Sequence, residues 1–464
     1  MKKIGIIGAG FSGIMTTTHL IQKSKNSVEI IIVDKKELFN KGVAYNSFSN
    51  QHILNVSTAK MSAFPNQPNH FLDWIKYQPE FQNINRKILA ESYQPRNIYG
   101  KYLSEIWEEA KILAGKKKIK LTVIDDYVSH LEELKDKIII RTEKHNEFNL
   151  DFVVIATGNQ LPRNPKIKTT SFYSNENYFQ NPWSRDSVKR LNPDLPVLIL
   201  GNGLTMVDTV LSILEQNFKG KIISLSPNGF NILSHKHSYL TYQDLANDLE
   251  SAKGLKEVFS LIHRHIKIVR SFGLSAEPVI DAVRPFTQRI WQSFSDDEKR
   301  IFMSRFRHLW GVARHRLPLS SFDKIQQLKI KNKLQVISGK LLDLNEANQA
   351  IEVEYWDKLL DQNKKLQVGR IINCTGPETD FLKLKSGFLK QSIKNGLLSQ
   401  DFLKLGLNVN VETFQTLNSK NKVNANIYAI GSLLKGELWE STAVSELRLQ
   451  ADQLSNILLN KIKN

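Results

Sequence analysis

The sequence predicts an α/β protein built from two Rossmann-like dinucleotide-binding units, the second interrupted by a helical insertion. Three observations predict it. An apolar strand runs straight into a Gly-x-Gly turn at Lys3–Gly13, the same construction returns at Pro196–Gly203, and each copy is closed by a strand ending in a Thr-Gly corner, at Thr157-Gly158 and Thr375-Gly376. A lone glycine fingerprint is weak; two strand-bounded copies in one chain are considerably stronger.

In the first copy Ile4, Ile6 and Ile7 make a short strand, Gly8-Ala9-Gly10 the turn, and the stretch from Gly13 onward carries an apolar helical period. A second strand, Val28–Val33, ends at Asp34, about 20 residues past Gly13, where a dinucleotide site places the carboxylate that holds a ribose hydroxyl. Leu121–Ile124 and Ile138–Ile140 read as further strands, and Phe152–Ala156 runs into the Thr157-Gly158 corner. In the second copy Val197–Leu200 leads into Gly201-Asn202-Gly203, Leu334–Ile337 and Ile351–Val353 supply the middle strands, and Ile371-Ile372-Asn373-Cys374 precedes the second corner. Between Tyr242 and Pro318 the pattern is helical and rich in bulky residues (Phe259, Ile262, Phe272, Phe286, Trp291 and Trp310). Such an insertion either covers an active site or is purely structural. The chain closes on a helix over Thr442–Ile462, in which Val444, Leu447, Ala451, Leu454 and Leu458 form a buried stripe.

With 464 residues the chain exceeds one hydrophobic core, and 41% hydrophobic with 24% charged residues is an ordinary globular composition. The net charge of +18 comes from lysines scattered along the chain without forming blocks. No nucleic-acid-binding motif accompanies it, so it reads as a general surface property that favours anionic small molecules, with no nucleic-acid partner expected. Cys374 is the only cysteine, which excludes an intrachain disulfide and a redox-active cysteine pair. The apolar run Ile4–Gly10 is broken by glycines, unlike a signal peptide, and no stretch approaches the ~18 apolar residues that span a bilayer. The expectation is a cytoplasmic protein without a membrane partner, and no metal site is expected.

The glycines have separate tasks. Gly8 permits the bend, Gly10 lets backbone approach a pyrophosphate, and Gly13 lets the helix pack closely on the strand. The helix N-terminus then presents unpaired N–H groups and its positive dipole end to the phosphates, while Asp34 disfavours a ribose bearing a 2′-phosphate. The alternative is a glycine turn without a ligand. In the second copy Met206 stands where the third glycine would be, so that helix must sit further from its strand. The next strand ends in Ser226-Pro227-Asn228 with no carboxylate, and His235, Lys236 and His237 follow. This favours NADPH over NADH at the second site, although no arginine stands at 226–228 to clamp a 2′-phosphate.

Several further stretches carry a specific resemblance. Gly42-Val43-Ala44-Tyr45, His52–Val56, Met61–Pro65, His70–Trp74, Pro95–Leu103, Gly203–Asp208, Asn373–Pro377 and Trp439–Val444 resemble a bacterial FAD/NAD(P)-binding oxidoreductase family. That family includes aspartate N-monooxygenases forming nitrosuccinate and proteins named as FAD-dependent urate hydroxylases. The resemblance covers nearly the whole chain. It implies an FAD site made of Gly8, Gly10, Phe11, Ser12 and Gly13, of Asp34 with Lys35, of Asn55, Val56 and Met61, of Thr157 and Gly158, and of Gly431 with Trp439, Ser441 and Thr442. The nicotinamide site implied is Gly201, Gly203, Leu204 and Thr205. Many two-domain flavoproteins have Gly-Asp where this chain has Gly431-Ser432, so an acidic contact to the flavin side chain is not assured. A helix starting near Thr442 would aim its N-terminus at the flavin and stabilise negative charge on reduction.

These readings divide the chain into residues 1–165, the first part of an FAD-binding domain; 166–330, an NAD(P)-binding domain with the insertion at about 242–318; and 331–464, the remaining strands of the second unit and a C-terminal return to the FAD domain. The expected reaction follows from the cofactor pair: NAD(P)H reduces FAD, reduced flavin meets oxygen, and a peroxyflavin hydroxylates a small, anionic or neutral amino compound. The alternatives are a reductase or oxidase that only moves electrons, and a flavin-binding redox sensor. Arg96, Arg314 and Arg316 are candidates for holding a substrate carboxylate, the alternative for each being a solvated position or a structural ion pair.

Overall fold

The computed structural model describes residues 1–135, 137–236 and 241–463. The chain forms two compact units: Met1–Ser47 with Val56–Gln160 and Glu378–Asn464, and Phe48–Asn55 with Leu161–Pro377.

The first unit is organised by a six-stranded sheet in the order Gln415–Leu417, Val423–Ala429, Phe152–Ile155, Lys2–Ile7, Val28–Asp34, Lys120–Asp125. All neighbours are parallel except the first pair, which is antiparallel. Ile4, Ile6, Ile30, Ile32, Val153 and Val154 are completely buried, because a parallel sheet is covered on both faces and its strands are apolar without alternation. The helix Phe11–Lys23 packs against the last helix, Val444–Lys463, and against Arg96–Lys116. Ile138–Ile140 lies in a separate three-stranded antiparallel sheet, Val128–Leu134, Lys137–Thr142 and Glu147–Leu150, formed by tight hairpins.

The second unit carries a seven-stranded sheet in the order Gln362–Val368, Ala350–Asp357, Leu334–Ala347, Ile222–Ser226, Val197–Leu200, Arg370–Asn373, Tyr178–Phe179. From Leu334 onward in that order the pairing is parallel, whereas the first three strands form antiparallel hairpins. Ile351–Val353, expected as a middle strand, therefore belongs to a hairpin at the sheet's edge. The insertion is helical: Asp244–Ser251, Leu255–Ser271, Glu277–Val283, Thr287–Ser293, Asp296–Ile301 and Arg307–Arg314, with a π-helical turn at Phe302–Phe306. Trp291 fills its centre against Phe294 and Phe302, while Phe272 faces solvent. Among the described residues no helix is long and apolar enough to cross a membrane.

Candidate functional site

The first glycine turn is bounded by backbone contacts that admit no side chain. Gly8 has φ +104°, its N–H donates to Val33 O at 2.9 Å, and a Cβ there would lie 2.5 Å from Ala156 O. A Cβ at Gly13 would lie 1.9 Å from Gly8 O, so the helix Phe11–Lys23 starts directly against the turn. Gly10 is its N-cap, with only the Gly42 Cα, 3.5 Å from an added Cβ, close by. Gly42-Val43-Ala44-Tyr45 thus borders the turn, and it is pinned from behind because a Cβ at Gly100 would meet Tyr45 O at 2.5 Å.

Asp34 ends the second strand as expected. Its Oδ2 accepts from Ala9 N at 2.7 Å and its Oδ1 from Lys35 N at 2.8 Å, tying strand end to turn. Burial raises its carboxyl above the ordinary value, and the two backbone bonds oppose that shift. Each oxygen keeps a further acceptor position for a hydroxyl. Lys35 points its ammonium over the Tyr127 ring, 4.7 Å from the centroid.

Two other segments converge here. Gly158 has φ +67° with open space where a Cβ would be, and the neighbouring Thr157 Oγ1 is buried without a hydrogen-bond partner. Gly431 has φ +83°, and a Cβ there would lie 3.0 Å from Ser12 Oγ. Its loop is held by a closed network: Gly431 N donates to Gln450 Oε1, Gln450 Nε2 to Ser441 Oγ, and Ser441 Oγ to Gly431 O, at 3.1, 2.8 and 2.8 Å. Ser441 is therefore a positioning residue, and Gln450, which the sequence did not single out, is its counterpart. The final helix begins at Val444, two residues later than expected. Trp439 and Met61 are buried in the same unit as this turn, which also contains the partly exposed Val56, whereas Asn55 belongs to the second unit.

An orphaned buried hydroxyl, a carboxylate with spare acceptor capacity, an open glycine corner and a helix start with no side chain in front of it suit a dinucleotide with a diphosphate and ribose hydroxyls.

The second copy repeats the construction. Gly201 has φ +106°, its N–H donates to Leu225 O at 2.8 Å, and its Cβ would lie 2.5 Å from Cys374 O, matching the contact of Gly8 with Ala156. Ser224 Oγ donates to Gly201 O at 3.0 Å and braces the turn from the next strand. Gly203 caps the helix Leu204–Glu215 with nothing within 4 Å of an added Cβ, and Thr205 O accepts from Thr209 Oγ1 at 2.9 Å. Met206 is 1% exposed and packs into the core with Val197, Ile199 and Cys374. Cys374 is buried, and burial pushes its thiol up to about 12, which makes it inert.

His235 and Lys236, behind this turn, bond within the second unit. His235 faces Glu277 Oε1 at 3.2 Å and Asn55 O at 3.0 Å, and Lys236 N donates to Glu277 Oε2 at 2.8 Å. His237 lies outside the described residues. Arg316, with a side chain 3% exposed, pairs with Glu277 at 2.8 Å and with Asp281. Two carboxylates pair with it, which is the structural ion pair weighed above against a substrate carboxylate. Arg314 ends the helix Arg307–Arg314 in the same unit. Arg96 opens the helix Arg96–Lys116 in the first unit, where its charge favours ionisation of the Tyr45 phenol, although burial wins and pushes that phenol up to about 12.

Residues 5–160 match the FAD-NAD(P)-binding family. The flavin-containing monooxygenase ustF1 of Aspergillus flavus is 25% identical over 222 residues, 45% of this chain and 49% of that protein. The chain spans less than half the length of the curated relatives it matches. Among solved structures, the reduced form of the ornithine hydroxylase of Pseudomonas aeruginosa is similar with a TM-score of 0.68 at 13% identity, over 99% of both chains. The ornithine N-hydroxylase of Kutzneria sp. 744, solved with reduced FAD, NADP+ and L-ornithine, gives 0.65 at 11%, over 100% of this chain and 99% of that one. Residues 5–160 thus match the FAD-NAD(P)-binding family model, and the chain shares its fold with ornithine hydroxylases along its whole length.

Proposed function

We propose that this protein is an FAD- and NAD(P)H-dependent monooxygenase that hydroxylates a small amino compound. The observation that carries the reading is the pair of glycine cradles built on the same backbone contact, Gly8 on Ala156 and Gly201 on Cys374, in a chain with the fold of amine-hydroxylating enzymes. When bound, FAD supplies acceptance of a hydride from NAD(P)H and the activation of oxygen.

The chain's own residues bind and orient. Gly8, Gly10 and the N-terminus of Phe11–Lys23 receive a diphosphate, Asp34 accepts from a ribose hydroxyl, and Thr157 offers its unpartnered hydroxyl. At the second cradle Gly201, Gly203, Leu204 and Thr205 would receive the nicotinamide cofactor. Ser226 brings no negative charge there, its Oγ accepting from Gly229 N at 3.1 Å, which favours NADPH. The single cysteine argues against disulfide reduction, and the packing of Met206 into the core weakens the reading as a sensor with a damaged second site. The motif resemblance to aspartate N-monooxygenases and urate hydroxylase-like proteins points to anionic amino compounds as first candidates.

The test is to purify the protein, record its flavin absorption, and follow NADPH and NADH oxidation with oxygen uptake across aspartate, ornithine, lysine and urate. Hydroxylated product coupled to NADPH consumption supports the proposal. Hydrogen peroxide alone across the panel removes the monooxygenase reading, and a colourless protein that refuses FAD removes the whole.

A further inference from the structure

Two stretches that the nucleotide cradles do not use, His70–Trp74 and Arg96–Leu103, meet in the first unit on the helices His70–Lys76 and Arg96–Lys116. Their rings form a continuous path. Tyr99 stacks on Phe11, the residue after Gly10, at 6.5 Å between centroids, and lies 4.7 Å from Tyr45. Tyr99 to Tyr102 is 5.4 Å, and Tyr102 to Trp74 is again 5.4 Å. Tyr99 and Tyr102 are fully buried, and Trp74 is partly exposed.

The polar atoms along the path are graded. The Tyr99 hydroxyl is buried with no hydrogen-bond partner. The Tyr102 oxygen accepts from Ala63 N at 3.2 Å, which leaves its own proton to donate to His70 Nδ1 at 2.8 Å. Burial lowers the His70 pKa, and the nearby carboxylates of Glu109 and Asp73 oppose this only in part, so the ring is a neutral acceptor. Trp74 Nε1 donates to Glu105 Oε2 at 2.6 Å on the exposed face. Oxidising a phenol or indole makes its O–H or N–H strongly acidic, so a base within hydrogen-bond reach lowers the cost of removing the electron. Tyr99 has no such base; Tyr102 and Trp74 each have one.

We propose that Tyr99, Tyr102 and Trp74 form a relay that carries one-electron oxidising equivalents from beside the glycine turn to the surface, with His70 and Glu105 as proton acceptors. The source of the oxidant rests on the oxygen-activating function proposed above; its class is hydroxyl radical, formed together with hydroxide when hydrogen peroxide from unproductive turnover takes one electron from a reduced metal ion in solution. The radical takes one electron from Tyr99 and a proton from solvent, becoming water. Tyr102 returns an electron to Tyr99 and passes its phenolic proton to His70. Trp74 then returns an electron to Tyr102, which recovers its proton from His70, while the indole proton moves to Glu105 and out to solvent. A soluble thiol restores Trp74 by giving up its hydrogen atom and leaves as a thiyl radical.

The test needs no substrate and no flavin. Transfer along the path is reversible, the thiol drawing it outward at Trp74; without thiol, pulse radiolysis with azidyl radical, which oxidises accessible tryptophan, should load the path from its surface end, the tryptophanyl band decaying as a tyrosyl band rises. Tyr102→Phe should slow that transfer by an order of magnitude, and Trp74→Phe should remove its fast phase. Because Tyr102→Phe alters the core, Trp74→Phe, at a partly exposed position, keeps the test decisive should the first variant not fold. In the flavin-loaded enzyme turning over NADPH in air, mass spectrometry should find oxidation concentrated on Trp74 in the parent and moved to Tyr45 and Tyr99 in Trp74→Phe. Transfer unchanged in both variants overturns the relay. A protein that binds no FAD yet shows the Tyr102-dependent transfer overturns the monooxygenase reading and leaves the relay standing.

Discussion

Gly13 and Met206 hold the same place in two copies of one construction, and enlarging the first should be far more damaging than its single methyl suggests. In Gly13→Ala the new Cβ would lie 1.9 Å from Gly8 O, 3.0 Å from Gly8 C and 3.3 Å from Ile6 Cγ2. Non-bonded carbons settle at about 3.5–4.0 Å, and the obstacle is backbone that cannot rotate aside, so the helix Phe11–Lys23 must withdraw. Overpacking of this kind costs about 1–3 kcal/mol, and at roughly 2–4 °C per kcal/mol for a unit of this size the melting temperature should fall by about 2–12 °C. Withdrawing the helix N-terminus also weakens its hold on a diphosphate, by about 0.3–2 kcal/mol, or about twofold to thirtyfold in FAD affinity. Met206→Ala should destabilise for the opposite reason: it empties a site that is 1% exposed, at a cost of about 2–5 kcal/mol, without touching FAD affinity. Thermal denaturation and a flavin-fluorescence titration measure both quantities. A Gly13→Ala protein that melts and binds FAD like the parent would refute the close-packed cradle.

Three further outcomes follow from the charges. Burial raises the Asp34 carboxyl, so the folded ligand-free protein retains a proton that the unfolded chain has released, and in that window rising pH costs stability. A ribose hydroxyl favours the ionised form, so FAD affinity should climb with pH across the same window, and Asp34→Asn should bind weakly with no pH dependence; an unchanged slope in the variant counts against the assignment. Burial, against the raising influence of Asp452 and with that of Lys23 added, holds the His19 imidazole at about 4. The fold keeps it neutral while the unfolded chain takes up a proton below about 6.5, so stability should fall as pH drops from there towards 4, by about 3 kcal/mol in all. His19→Gln should flatten that loss in urea denaturation, and an equal loss in the variant would place its origin elsewhere. Arg316→Met should cost about 1–3 kcal/mol, since Glu277 loses its charged partner but keeps His235 and Lys236 N, and Asp281 is half exposed to water; if it folds normally and raises only the substrate KM, the structural role given to Arg316 is wrong.

The parts of the fold that were legible are those where one local requirement admits few residues. Buried parallel strands must be continuously apolar, which marks Ile4–Ile7 and Val197–Leu200, and a turn pressed on the neighbouring strand end must be glycine, which marks Gly8 and Gly201. Asp34 was legible from spacing alone. What stayed hidden are pairings between residues far apart in sequence. Arg316 looks like any arginine in an Arg-His-Arg run until Glu277 and Asp281, 39 and 35 positions upstream, are seen to enclose it. Gln450 reads as a polar position on a helix, and only the fold brings its amide to Gly431 and Ser441. Ile351–Val353 has the composition of a central strand, but its partners run antiparallel, a distinction that apolar content does not encode.

The two cradles differ at three points, and all three bear on how long each holds its ligand. In the first, Gly13 sets the helix against the turn, Asp34 offers an ionic acceptor, and the Thr157 hydroxyl is buried unpaired. In the second, Met206 stands in place of that glycine, Ser226 replaces the acid, and the Thr375 hydroxyl is already satisfied by Asn373 Oδ1 at 2.7 Å. A buried unpaired hydroxyl costs about 1–3 kcal/mol that a ligand relieves on binding, whereas a satisfied one gains nothing. The second cradle therefore has chiefly backbone contacts to offer. Under the proposed reaction this asymmetry is what the chemistry requires, since a flavin that serves every cycle must stay while a nicotinamide spent in each cycle must leave.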